Sequence, residues 1–279
     1  MSGKGQDLSA EQTHGEVQMS FWDHLEVLRW ALIRIAIVLV VLVVASFLAM
    51  PHIFDTLILG PTTSDFFIYR WFASMGNVIP FFPDFSDDGF HVDIININVA
   101  SQFMTHISTS FWLSLVVLFP YIVYELWKFV SPALYSSEKK SVSHAFFAGT
   151  FMFYLGCAVG YCIIFPFTFR FLAEYQVSQT IVNQISMTSY MSNFLGMVFI
   201  MGVIFELPLL AWLLSRLGIL HREFLQNYRR HAIVVLLVLA AVITPTGDPF
   251  SLMLVFVPLY LLYELAVRIV RPAEPEPGS

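Results

Sequence analysis

Apolar residues gather in six long runs along the chain, separated by more polar segments. The runs cover residues 35–50, 107–127, 145–169, 194–214, 231–244 and 250–267. A helix that crosses a bilayer needs about 20 mostly apolar residues. It must also hydrogen-bond its own backbone, because hydrocarbon offers no partners. The pattern therefore predicts an all-α integral membrane protein with six transmembrane helices.

The last two runs are short and meet at a tight turn. The fifth run has 14 residues, fewer than a bilayer of ordinary thickness requires. Pro245 and Pro249 enclose Thr-Gly-Asp between the two runs, a composition typical of turns. We therefore expect the last two helices to be short and the membrane around them to be locally thinned.

The composition excludes several classes of protein. Hydrophobic residues make up 57% of the chain and charged residues 12%, whereas a soluble domain carries about 25% charged residues. Too little polar surface remains to cover a soluble enzyme, and a disordered chain would be far less apolar. The net charge of −6 argues against a nucleic-acid partner. Two cysteines provide neither a disulfide framework nor a set of metal ligands.

The lysines and arginines predict how the chain is oriented. Twelve of the fourteen fall on one side of the predicted helices, and only Arg70 and Arg170 fall on the other. Because cytoplasmic loops carry the excess of positive residues, we expect both termini to be cytoplasmic and the loop 51–103 to lie outside. An even number of spans agrees with this arrangement.

The chain is predicted to form one membrane domain over residues 20–270. A polar tail, residues 1–19, precedes it, and a tail that we expect to be disordered, residues 271–279, follows it. The first apolar run is interpreted as a retained span, because residues 1–30 are mainly polar and no small-residue cleavage site follows.

Motifs of the common enzyme classes are missing from the sequence. It has no phosphate-binding loop, no dinucleotide-binding fingerprint, no zinc-protease motif and no nucleophile elbow. These absences favour a protein without catalytic residues, cofactor or metal. Any work that it performs must draw its energy from elsewhere.

Three residues in the second half of the chain are candidates for function. Glu206 lies inside the fourth apolar run, where a carboxylate costs roughly 2.5–3.5 kcal/mol to insert. The alternative is a protonated glutamate that is hydrogen-bonded inside the bundle. Pro208 leaves a nearby backbone carbonyl free, so local hydration is expected. Asp248 lies in the last turn, where turn chemistry alone also explains an aspartate.

Two charged segments lie on the predicted cytoplasmic side. Residues 24–29 begin the first helix as an amphipathic turn, and Glu138 falls in the first turn of the third helix. Spacing alone favours an interfacial anchor for the first segment and a helix-dipole interaction for Glu138. The alternative is a docking surface on which a carboxylate binds a guanidinium through two hydrogen bonds.

Several sequence motifs, taken together, resemble those of one family, the TatC subunit of twin-arginine protein translocases. Residues 24–29 (HLEVLR) resemble its opening motif, residues 119–140 its first cytoplasmic loop, and residues 205–208 (FELP) its fourth-span motif. Residues 228–251 and 258–264 resemble its last two spans. The motifs occur in the same order over about residues 20–268, with the same six-span topology.

The resemblance implies a receptor for twin-arginine signal peptides in the bacterial cytoplasmic membrane. Such a subunit is not an enzyme, and it belongs to a translocase that exports folded proteins by using the proton motive force. Its implied partners are TatA-type and TatB-type single-span subunits, further copies of itself and membrane lipid, with no nucleic acid. The alternative is a secondary transporter of a small solute. Only Glu206 favours that alternative, since no internal repeat is evident.

The resemblance also implies roles for particular residues. The signal-peptide-binding set comprises Glu138, Phe129, Glu26, Arg29, Leu134 and Tyr135. Glu206, Pro208 and Asp248 match positions used inside the bundle and in the last outer turn, and Thr244 and Ser251 match part of the partner-binding edge. Val27 stands where the family has a second glutamate that contacts an arginine.

Overall fold

The computed structural model describes residues 21–76, 89–130, 139–178, 180, 183–244 and 248–272. Ten α-helices occur within these ranges: α1 Phe21–Ile53, α2 Phe67–Gly76, α3 Ser101–Val130, α4 Lys139–Val159, α5 Phe165–Glu174, α6 Met187–Ile204, α7 Leu207–Arg216, α8 Arg222–Asn227, α9 Arg229–Ile243 and α10 Pro249–Ile269. Two short strands, β1 Ile94–Ile95 and β2 Ile185–Ser186, pair in parallel.

The six apolar runs coincide with helices, as predicted. Within the described ranges, five stretches of helix are long and apolar enough to cross a membrane: Leu25–Thr62, Ser101–Phe129, Ala145–Glu174, Met187–Arg216 and Pro249–Ile269. Helix α9 covers the fifth run, but its 15 residues rise only about 22 Å. The fifth run is therefore short, as expected. The last helix, with 21 residues, is shorter than the first four spans but long enough to cross.

Three of the spans are composite. The π-helical turn Phe54–Ile58 extends α1, a second one, Gly160–Ile164, joins α4 to α5, and residues 205–206 interrupt the helix between α6 and α7. Pro208 occupies the first turn of α7, where a missing N–H costs little. Each irregularity lies within a single apolar span.

Helices α4 and α6 pack closely through glycines. A Cβ atom on Gly156 would lie 2.5 Å from the carbonyl oxygen of Met201, and one on Gly202 would lie 2.6 Å from the Sγ of Cys157. Gly160 allows a similar approach of Val198. The spacing of Gly156 and Gly160 favours close helix packing, and the structure confirms that interpretation.

A layer of aromatic residues lies at the end of the bundle next to the segment that joins α1 to α3. The rings of Phe165, Phe169 and Tyr190 pack mainly edge to face, with centroids 5.1–5.6 Å apart. The Tyr190 hydroxyl donates to the carbonyl of Ile58, 2.5 Å away. This bond joins α6 to the π-helical turn Phe54–Ile58 that follows α1. The start of the segment between α1 and α3 is therefore fixed to the core.

Arg170 anchors the remaining described part of this segment. Its guanidinium lies 4.9 Å from the ring centroid of Phe90 and 5.7 Å from that of Tyr69, and its Nε donates to Glu174 at 2.8 Å. Tyr69 donates its own hydroxyl to the carbonyl of Pro61, and burial raises the pKa of Tyr69. Helix α2 is thereby held against α5.

Candidate functional site

Helices α1 and α3 run antiparallel and bring two predicted site segments to one end of the bundle. Arg34, near the start of α1, contacts Glu125, near the end of α3. Towards the other end, His106 hydrogen-bonds to the carbonyl of Phe47 at 2.8 Å. The beginning of α1 and the end of α3 therefore lie together. We call this the N-terminal end of the bundle.

Three predicted signal-peptide residues occupy this end. Glu26 and Arg29 are exposed on the first turns of α1, and the Arg29 guanidinium lies 5.5 Å from the ring centroid of Trp30. Phe129 is half-buried in the last turn of α3. Glu138, Leu134 and Tyr135 lie outside the described residues, so their predicted roles stay predictions.

A charged cluster beneath these residues was missed by the sequence analysis. Arg34 donates to Glu125 through two hydrogen bonds, Nε to Oε1 at 3.0 Å and Nη2 to Oε2 at 2.7 Å. The Tyr121 hydroxyl donates to the same Oε1 at 2.9 Å. Glu125 is only 3% exposed, whereas Arg34 is 38% exposed. Such a bidentate pair satisfies a carboxylate that hydrocarbon could not solvate.

A signal for this cluster was present in the sequence. Glu125 lies inside the second apolar run, and Arg34 directly precedes the first. The rule that singled out Glu206 applies equally to Glu125, because an acid within a span needs a partner or a function. Their separation of 91 residues concealed the pairing.

A second cluster of the same chemistry joins α9 to α10. Arg229 donates to Glu264 at 2.9 Å, and the Tyr260 hydroxyl donates to the other carboxylate oxygen at 3.2 Å. The Glu264 side chain is 22% exposed and that of Arg229 is 46% exposed. Glu264 is therefore paired with Arg229 and does not simply extend towards water.

Glu206 lies at the interruption between α6 and α7 and faces α4. Its Oε1 is buried and has no hydrogen-bond partner within the described part of the chain. Its Oε2 would lie 3.0 Å from a Cβ atom on Gly149, so the glycine makes room for the carboxylate. Pro208, two residues further on, is buried. The placement inside the bundle agrees with the sequence analysis, and the functional role stays a prediction.

Replacing Glu206 with Ala is expected to reduce export without weakening signal-peptide binding. Its Oε1 has no hydrogen-bond partner within the described part of the chain, so we expect another subunit to supply one, and the loss of such a bond corresponds to roughly a tenfold effect. Export of a folded reporter and peptide affinity should be measured in parallel. Glu206→Gln, which keeps the hydrogen-bonding shape, serves as the control. Export within about twofold of the parent protein would leave Glu206 a structural residue only.

Asp248 caps the last helix. Its Oδ1 accepts a hydrogen bond from the backbone N–H of Ser251 at 2.7 Å, and Pro249 occupies the first helical position. Both features favour a helix start. The structure thus supports the turn-chemistry interpretation of Asp248, and any further role stays a prediction.

We expect Asp248→Ala to destabilise the protein by about 0.5–2 kcal/mol, the usual cost of a lost N-cap. Asp248→Asn should lose little, because an amide oxygen can accept the same hydrogen bond. Reversible unfolding of the purified protein in mixed micelles would measure both variants. Equal losses for the two would show that the charge of Asp248, rather than the cap, stabilises α10.

The two residues of the predicted partner-binding edge are buried in the single chain. Thr244 is 2% exposed and donates its hydroxyl to the carbonyl of Ala240, and Ser251 is 0% exposed. More exposed neighbours are Val242 and Met253, at 76% and 55%. A partner at this edge would therefore contact the neighbours before it reached Thr244 or Ser251, whose roles stay predictions.

Metal binding finds no support in the described ranges. Within them, no group of three or more His, Cys, Asp or Glu residues could hold an ion. The described side chains at the N-terminal end of the bundle include charged and apolar groups, among them Glu26, Arg29 and Phe129.

Comparisons with known proteins identify the family. The family model described as Sec-independent protein translocase protein (TatC) matches residues 23–258. A protein of that description from Blattabacterium is 33% identical, with 90% of this chain and 95% of the relative covered. One from Escherichia coli K12 is 34% identical, with 64% and 68% covered.

A solved structure agrees with this assignment. The crystal structure of a twin-arginine translocase receptor, TatC, superposes with a TM-score of 0.67 at 26% identity, with 88% of this chain and 97% of that chain covered. The same receptor in the detergent DDM gives a TM-score of 0.68 at 26% identity, with 89% and 99% covered. The chain therefore belongs to the TatC family of Sec-independent protein translocase proteins.

Proposed function

We propose that this protein is the receptor for twin-arginine signal peptides in a translocase that exports folded proteins. The solved structure with a similar fold is named as a twin-arginine translocase receptor, and the curated relatives are named as translocase proteins. In this role the chain is a transport subunit and not an enzyme. The solute-transporter alternative loses its support, because Glu206 fits a TatC-type subunit equally well.

The observation that carries the proposal is the meeting of two helix ends. Exposed Glu26 and Arg29 on α1 and half-buried Phe129 on α3 share the N-terminal end of the bundle. Phe129 supplies an apolar contact close to the boundary of the second span, which ends at that residue. A signal peptide, with arginines followed by an apolar segment, needs both kinds of contact side by side.

Glu138 completes the proposed site. It follows Phe129 by nine residues, between α3 and α4 in the sequence, and its carboxylate would bind an arginine of the signal peptide through charge-assisted hydrogen bonds. Leu134 and Tyr135, from the same stretch of sequence, would add apolar contact. The site so formed offers the carboxylates of Glu26 and Glu138 beside apolar side chains, which match a peptide that is basic and apolar.

The proposed site faces the cytosol. Twelve of the fourteen lysines and arginines fall on the side of the membrane that holds the N-terminal end of the bundle, and positive residues accumulate in cytoplasmic loops. Both termini are then cytoplasmic, and the segment 54–100 lies outside. This orientation suits a receptor in the bacterial cytoplasmic membrane, because precursors reach it from the cytosol.

TatA-type and TatB-type single-span subunits are the proposed partners, together with further copies of this chain. The exposed apolar side chains beside Thr244 and Ser251 form a surface that a single transmembrane helix can cover in place of lipid. Energy is proposed to come from the proton motive force, since the sequence carries no nucleotide-binding motif.

Restoration of export tests the proposed function. Cells that lack their own receptor should receive this protein together with its native single-span partners. They should also express a folded reporter with a twin-arginine signal peptide or with a twin-lysine control. We expect export of the twin-arginine reporter only. Export of neither reporter, with the protein inserted and its partners present, would contradict the proposal.

A further inference from the structure

We propose that Arg34 and Glu125 are positioning residues of the signal-peptide site, and this inference rests on the proposed function. Their ion pair holds the beginning of α1 against the end of α3 and so sets the distance between the two halves of the site. Neither residue has to contact the peptide. Both act through the helices that carry Glu26, Arg29 and Phe129.

On both helices the pair lies about one turn further from the N-terminal end of the bundle than the nearest predicted site residue. Glu125 precedes Phe129 by four residues, so the two share one face of α3. Arg34 follows Arg29 by five residues, a rise of about 7.5 Å along α1. A shift of α1 at the level of the pair therefore moves the peptide-binding residues above it.

Polar contacts between α1 and α3 are few in the described residues, although one half-buried face of α1 packs on α3 along its length. At this end Arg34 and Glu125 form the described ion pair. The other described side-chain hydrogen bonds between the two helices join His106 to the Phe47 carbonyl and Ser114 to Ser46, in the opposite half of α1. Loss of the pair would thus remove the polar contact of the near end, while those of the far end remain.

The chemistry of the pair explains why it can hold two helices. Glu125 is 3% exposed and accepts three hydrogen bonds, two from Arg34 and one from Tyr121. Removal of one partner leaves a charge without compensation in an apolar interface, which strongly favours separation of the helices and entry of water. Exchanging the two charges keeps the attraction between α1 and α3.

The chain offers a matched control in its second cluster. Arg229, Glu264 and Tyr260 repeat the same chemistry between α9 and α10. No predicted signal-peptide residue lies on those helices. Glu264→Gln therefore removes an equivalent carboxylate without changing the contact between α1 and α3.

Peptide affinity of the purified full chain tests the inference. A labelled twin-arginine signal peptide, with its twin-lysine form as reference, should be titrated against five proteins. These are the parent protein, Glu125→Gln, Arg34→Glu, the exchange Arg34→Glu with Glu125→Arg, and Glu264→Gln. We expect each single change in the pair to weaken binding at least about fivefold, with the exchange recovering most of it. Glu264→Gln should bind like the parent.

The exchange distinguishes positioning from direct contact. If Glu125 bound the peptide itself, an arginine at that position would repel the signal-peptide guanidinium, and the exchange would bind worst of all. Folding is checked by thermal unfolding of each variant. Should the single changes fail to fold, Arg34→Lys provides the test, since it keeps the charge but loses the paired hydrogen bonds. We expect that variant to fold and to bind the peptide more weakly.

The outcomes separate this inference from the proposed function. A parent protein without preference for twin arginine overturns both. If the parent shows the preference, two results overturn the inference alone. The first is that folded single variants, or folded Arg34→Lys, bind the peptide as tightly as the parent does. The second is that a folded exchange variant does not recover binding. Weakened single variants and a recovered exchange support the pair as positioning residues.

Discussion

Replacing Glu138 with Gln is expected to abolish export of twin-arginine precursors while the protein still inserts into the membrane. A carboxylate bound to a guanidinium contributes about 1.5–3 kcal/mol, equivalent to a loss of roughly tenfold to a hundredfold in peptide affinity. Gln keeps the size of the side chain and removes the charge. The measurement is the affinity for a twin-arginine signal peptide, followed by export of a reporter in cells.

A carboxylate neutralised at the opposite end of the bundle controls for the change in net charge. Asp65 follows the far end of α1, is 86% exposed and forms a 3.3 Å surface contact with Arg70. The variant Asp65→Asn should therefore bind the peptide like the parent. Unchanged binding and export for Glu138→Gln would remove Glu138 from the site. A loss of affinity in both variants would instead indicate a diffuse effect of charge.

Replacing Gly156 with Ala is expected to destabilise the bundle despite the better helix propensity of alanine. The new Cβ would lie 2.5 Å from the carbonyl oxygen of Met201 and 2.8 Å from Phe205, so α4 and α6 must separate. Overpacking of this kind costs about 1–3 kcal/mol. Reversible unfolding in mixed micelles, and the amount of protein in the membrane, would measure the loss.

Gly196 provides a control with the opposite sign. It lies inside α6, and a Cβ atom there would meet nothing within 4 Å. Gly196→Ala should therefore be neutral, or stabilising by up to about 1 kcal/mol from helix propensity. If Gly156→Ala proved as stable as Gly196→Ala, the glycine contact between α4 and α6 would not determine the packing of these helices.

The spans were predictable because a bilayer permits few solutions. A run of apolar residues can satisfy its backbone only as a helix, so each of the six runs lies in a helix. The short length of helix α9 followed from a count of residues. The turn expected before the sixth run agrees with the N-cap that Asp248 provides at the start of α10. These features depend on local sequence and on the solvent alone.

Features that depend on distant residues were not predictable. No local pattern indicated the π-helical turn Gly160–Ile164, although the spacing of Gly156 and Gly160 favoured a close helix contact. The pairing of Arg34 with Glu125 required the packing of α1 on α3, and the sequence provides only two separate charges. Within the site, the distribution of lysines and arginines predicted that Glu26, Arg29 and Phe129 share one side of the membrane, whereas their roles and that of Glu138 came from family resemblance.

Photo-crosslinking from Phe129 tests most directly whether a signal peptide binds at the N-terminal end of the bundle. A photoreactive residue at position 129 should form an adduct with a twin-arginine precursor, and the adduct should disappear with the twin-lysine form. A second probe at Val99, fully exposed at the opposite end, serves as the reference and should form none. Adducts from position 99, or adducts from position 129 that do not depend on the arginines, would contradict the account.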